Sequence, residues 1–213
     1  MHFECRSTFH PKPFEPSHYI RSHDICVQCF STSDTMTTAG RLAVDYLDFA
    51  RAESEGFSIC HVCDDDSAEW EEVFSAIIEP APDFAEIRKD FDFDEAVVAI
   101  VFIRCAIFHP VIREQQRFVL DSICRMFPED TAIVMSRETT DLDFKELASL
   151  GFRIVAGQNF LFRPNMVVND YSAADDECQW LFELQVPADA QRYVHDKWED
   201  EGMPPDLEEI DEF

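Results

Sequence analysis

The chain has 213 residues, of which 46% are apolar and 20 are Phe, enough to bury a sizeable core, so wholesale disorder is excluded. Its 44 acidic residues against 17 basic ones give a formal charge of −27, a field that repels phosphate backbones and excludes ordinary nucleic-acid binding. The longest apolar run, Ala96 to Ile103, stops at Arg104 and is too short to cross a bilayer.

In chain order, residues 1–17 contain Pro and His without periodicity and are predicted to form an irregular arm. His2, His10, His18 and His23 fall in the first 25 residues, at spacings that match no rigid helical metal pair. No uninterrupted apolar stretch opens the sequence, so no secretory signal is read and a cytoplasmic location with reduced thiols is expected. Asp24–Phe30 has strand composition. Leu42, Val44, Tyr46, Leu47 and Phe49 are spaced for a buried helical face, which predicts a helix over Thr35–Glu55 stopped by Gly56. Phe57–Cys63 is read as a strand. Asp64, Asp65, Asp66 and Ser67 offer capping chemistry for a helix carrying Trp70, Val73, Phe74, Ile77 and Ile78, ended by Pro80 and Pro82. Residues 83–95 read as a short helix or loop.

Glu95–Phe108 is β-branched and aromatic, a central strand broken by His109-Pro110. Then come a helix over Ile112–Phe127, a short buried strand at Thr131–Met135, a helix at Asp141–Leu150 with Gly151 at its C-terminal cap, and a strand at Arg153–Arg163. Alternating strands and helices predict an α/β (α+β) fold: a mixed twisted sheet with parallel neighbours and flanking helices.

The stretch FIRCAIFHPVIREQQRFVLDSICRMF resembles the central strand, phosphate loop and following helix of the Gcn5-related N-acetyltransferases, and ELASLGFRI with NFLF is similar to that family's late helix and last strands. The resemblance covers about a third of the chain, residues 96–164 of a domain set at 18–168. It implies an acyl-CoA N-acyltransferase-like fold in which acetyl-CoA or another acyl-CoA lies between two splayed parallel strands, its pyrophosphate at a helix N-terminus. An amine would attack the thioester directly, with a general base taking its proton. Carried over, Arg113 matches the first residue of the family's phosphate loop, with Arg117 beside it as a second source of positive charge. Gln116 and Phe118 fall where the family needs small residues, and Glu114 adds a like charge against the anion. The usual tyrosine aligns with Leu147, which donates no proton. The resemblance therefore implies a catalytically inactive or repurposed relative whose cofactor affinity is weak or absent, with His109 the one candidate base.

Cys26/Cys29 and Cys60/Cys63 form two CxxC pairs, the spacing of a zinc knuckle, but neither has the Gly or Pro of a knuckle turn. No metal is expected there, and Asp64–Asp66 are read as a capping run rather than a cation site. Residues 169–213 form an acidic C-terminal extension. Its aromatic part, about 178–198, is expected to dock on the domain or on a second copy as a homodimer, leaving 199–213 mobile. That end suggests a second function class: an acidic protein-binding module, or nucleic-acid mimic, that captures a basic protein partner.

Overall fold

In a computed structural model, residues 1–9, 15–80, 85–88, 91, 97–155, 157–165 and 184–200 are described. The expectations for 169–183 and 201–213 lie outside these residues. The predicted irregular arm begins instead with a strand, β1 (His2–Phe9), paired antiparallel with β2 (Ile20–Ser31) from His2↔Gln28 to Phe9↔Arg21. A tight turn follows β2. The Ser31 N–H donates to the Thr35 carbonyl at 2.8 Å, and Asp34 takes a positive φ of 57°, which the short polar side chain tolerates.

The turn leads into β3 (Met36–Leu47), where a helix is predicted. Ala39, Leu42 and Val44 face one core cluster while Ala43 and Leu47 face the other side. A strand buried on both faces loses its two-residue alternation, and its apolar residues then mimic helical spacing. Only the end of the predicted helix survives, as α1 (Phe49–Ser54), capped by the Asp48 side chain. The predicted strand at 57–63 is likewise a helix, α2 (Ile59–Asp66). Its alternating residues are too few to set a period, and Ile59, Val62 and Cys63 share one buried face. Ser67 alone caps α3 (Ala68–Ile77), accepting from the Trp70 N–H, while Asp64, Asp65 and Asp66 form the last turn of α2.

A two-stranded ribbon, β4 (Ile78–Pro80) with β5 (Ala85–Ile87), precedes β6 (Ala99–Phe108). Next come a 3-10 turn over Pro110–Gln115, α4 (Gln116–Cys124), β7 (Thr131–Ser136) and α5 (Phe144–Ser149). The predicted final strand is a hairpin, β8 (Arg153–Ile154) and β9 (Phe160–Pro164). The turn between them includes Gly157 at φ 77°, a conformation that breaks a continuous strand. β10 (Gln185–Val186) and α6 (Ala190–Asp200) follow.

The described residues thus build a mixed α/β protein with an eight-stranded mixed sheet of order β1-β2-β3-β6-β7-β9-β8, β10 extending it beside β2. Its parallel neighbours are β6 and β7, from Ala99↔Thr131 to Ile103↔Met135, and β10 and β2, at Gln185↔Phe30 and Val186↔Ser31. One face carries α1–α3 over Ile100, Phe102, Ala132, Val134 and Phe162; the other carries α4 and α5 over Val101, Ile103, Ile133 and Met135. Further along the α3 face, α6 lays Val194 and Trp198 against Ala43 and Ile107. No helix among the described residues is long and apolar enough to cross a membrane.

Candidate functional site

The parallel pair ends at Ile103, while β6 keeps β3 as its neighbour from Ile100 to Phe108. Val44 faces Ile103 and Ala43 faces Cys105, so Arg104 is the extra residue of a bulge. Bulges bend a strand and increase its twist. From Arg104 to Phe108, β6 runs beside β3 alone, without a ladder to β7. At its end the His109 N–H donates to the Ala39 carbonyl at 2.8 Å, and the ring Nδ1 accepts from the Val111 N–H at 3.2 Å. His109 is therefore the cap of the 3-10 turn, and its ring stands edge-on to Tyr193 of α6 at 5.0 Å. A nitrogen occupied by a backbone amide is poorly placed to collect a substrate proton.

The four candidate cofactor residues do not converge. Arg113 reaches across to α5, donating to both carboxylate oxygens of Glu146 at 3.4 and 2.9 Å and to the Asp141 carbonyl at 3.0 Å. Glu146 also accepts from the Asp143 N–H at 2.8 Å, closing a capping box with Asp143. The Arg113 guanidinium holds the Glu146 carboxyl below its ordinary range, helped by that N–H. Gln116, the first residue of α4, is 1% exposed and accepts from Thr140 at 3.5 Å, while Gln115 is buried beside it with its side-chain oxygen unpartnered. Arg117 is exposed and Phe118 half-buried. Leu147 sits in the apolar core of the α4 face.

On the opposite face, at the same bulge, lies a polar cluster that the sequence reading passed over. Asp45 of β3 is 2% exposed and accepts from the Trp70 indole N–H at 3.1 Å and from Arg104 at 3.3 Å, while Arg104 donates to Glu69 at 2.8 Å. Burial pushes the Asp45 carboxyl above its ordinary value, although Arg104, Ser22 and Trp70 pull the other way. The signal in the sequence was an Asp inside an apolar run, hidden because that run read as a helix whose polar face would accept it. Beyond the cluster, α3 and the β8–β9 turn frame an open cleft lined by Glu71, Glu72, Gln158, Asn159 and Phe160.

The two cysteine pairs are not brought together. Cys26 and Cys29 lie on β2, with Cys29 in the α4-face core; Cys60 and Cys63 lie on α2, with Cys63 in the α3-face core. The sheet separates Cys29 from Cys63, so no single ion is held by all four. His61, Asp64 and Asp65 have ligand atoms within 4.8 Å of one another, all exposed on α2. Compared with protein-family models, with curated proteins and with solved structures, the chain matches none.

Proposed function

We propose that the chain is a repurposed acyl-CoA N-acyltransferase-like protein that does not turn over acyl-CoA. The parallel pair β6–β7, joined through a 3-10 turn and α4, with β6 running on past the end of β7, supports the acyltransferase-like architecture. The observation that carries the loss of chemistry is Arg113. Its fork is satisfied by Glu146 and the Asp141 carbonyl, so a pyrophosphate would have to displace a bidentate carboxylate that braces α5. The buried Gln116 fills the start of α4, where the backbone would need to approach a phosphate. Calorimetric titration with acetyl-CoA is expected to give a dissociation constant above roughly 100 μM, about −5.5 kcal/mol. Low-micromolar binding would overturn this reading and restore a working enzyme.

A second reading, a module that binds a basic protein, is favoured by the exposed acids Asp64, Asp65, Glu69, Glu71 and Glu72 on α2 and α3, only Glu69 of them spanned by Arg104. A labelled oligolysine peptide is expected to bind at low ionic strength and to be released as salt shortens the screening length to about 8 Å. Absence of binding at low salt would remove this reading without touching the first.

A further inference from the structure

At the β1 edge of the sheet, away from the β6–β7 pair, three reactive side chains meet. Cys5 and Ser7 share a face of β1, because residues two apart in a strand point the same way, and the register sets Ser7 opposite His23. The His23 Nδ1 lies 2.8 Å from the Ser7 hydroxyl and 3.8 Å from the Cys5 sulfur, and that sulfur is 4.0 Å from the hydroxyl. The imidazole is half-buried, edge-on to Phe127 at 5.7 Å, and Phe127 in turn stacks on Tyr46. Burial, and then the Arg21 charge, hold the His23 pKa below its ordinary value, so the ring is an unprotonated base at neutral pH. Cys5 itself is exposed.

Four of the other described thiols are placed differently. Cys29, Cys63 and Cys124 are buried, and burial pushes their thiols up, that of Cys124 to about 12. Cys60 is exposed on α2, one turn before Asp64.

We propose that Cys5 is a base-assisted nucleophile and a site of covalent modification by soft carbon electrophiles, with His23 Nδ1 as the proton acceptor. The S–H bond breaks, its proton passes to Nδ1, and the sulfur electron pair forms a C–S bond. With a haloacetamide the halide leaves with its bonding pair, which balances the new imidazolium charge. The Ser7 hydroxyl is the nearer neighbour of Nδ1 and, unlike the fixed backbone amide on His109, it can rotate: its hydrogen turns away as the lone pair takes the thiol proton, and its oxygen then accepts from the new Nδ1–H. This inference stands apart from the acyl-CoA reading.

The test is alkylation of the native full chain with iodoacetamide at neutral pH, followed peptide by peptide by mass spectrometry. Cys5 is expected to react about tenfold or more faster than Cys60, within the range that a positioned base supplies. His23→Gln should bring Cys5 down to the Cys60 rate, while Cys60 keeps its rate and Cys29, Cys63 and Cys124 stay protected, showing an intact fold. Equal rates for Cys5 and Cys60 in the unaltered chain would overturn the proposal, and so would an unchanged Cys5 rate in a folded His23→Gln variant. The comparison within the unaltered chain decides the matter even where the variant unfolds.

Discussion

Arg104 leaves β6 toward α3, where its side chain is 10% accessible and meets Asp45 at 3.3 Å and Glu69 at 2.8 Å. Arg113, just beyond the end of the same strand, crosses to α5 and pairs with Glu146 at 2.9 Å, both side chains more than a third accessible. The chemistry of the two ion pairs is the same and the solvent is not. Beside Asp45 the dielectric is low, so each charge depends on the other for the solvation it has lost. Beside Glu146 water already solvates both groups, and the bond contributes geometry more than energy. An arginine that resembles a phosphate ligand in sequence is thus a brace between two helix starts. The one that interrupts an apolar strand is the more consequential residue for the fold.

The largest expected effect follows from that difference. Arg104→Ala strips the charge partner from a buried carboxylate and should cost about 3–5 kcal/mol, read as a fall in the urea midpoint. Asp45→Asn/Arg104→Met, which removes both charges, should recover a substantial part of the loss, and the double-mutant cycle isolates the coupling. Additive effects in the cycle would show that the pair contributes nothing beyond its separate packing.

A neutral buried brace falls between the two. Asn165, 5% exposed, donates from one amide nitrogen to the carbonyls of Cys124, Phe127 and Pro128 at 2.9–3.0 Å, closing the C-terminal end of α4. Asn165→Ala leaves those acceptors without that donor and should cost about 1–3 kcal/mol. A smaller loss than that of Arg113→Ala would break the ordering by burial. Arg113→Ala itself should lower the melting temperature by no more than about 2–4 °C, the scale of an exposed pair. It should also leave acetyl-CoA binding where it was, because the guanidinium is already spent on Glu146.

How much of this was legible in the sequence depended on how each segment is buried. β6, β7 and their parallel pairing were readable from continuous β-branched runs broken by His-Pro and Pro-Glu-Asp. Pattern failed at β3, because Ala43 and Leu47 lie behind Leu42 and Val44 and the two-sided burial imitates a helical stripe. It failed again at α2, where FSICHVC alternates in composition but the Ser58-led turn buries Ile59, Val62 and Cys63 on a helical spacing. The candidate site was half legible. Arg113, Gln116 and His109 do lie at the turn into α4, yet no periodicity could say that Glu146 and the Val111 amide would claim two of them. Asp45 went unnoticed because its partners, Trp70 and Arg104, are distant in sequence, and only the sheet brings them together.

The smallest effect concerns pH, and there the two pairs should differ in sign. Burial raises the Asp45 carboxyl above its ordinary 3.8 in the fold. The stability it contributes is complete below that value and is lost as pH rises through the folded pKa, since the native state holds a proton that the unfolded chain has released. Glu146 is held below its ordinary 4.5 by Arg113 first and the Asp143 amide second. Its contribution is complete above 4.5 and is lost as pH falls through the lowered folded value. Urea midpoints of Asp45→Asn and Glu146→Gln, measured against the unaltered chain across the acid range at low salt, isolate the two terms. The Asp45→Asn difference should move in the variant's favour as pH climbs above 3.8. The Glu146→Gln difference should be nil at the acid end and turn against the variant as pH approaches 4.5. Salt should shrink the second slope more than the first, because Glu146 is exposed to the ions that screen it and Asp45 is not. Slopes of the same sign in both variants would mean that Arg104 outweighs burial at Asp45, and the contrast between the dry and the wet pair would then be one of degree only.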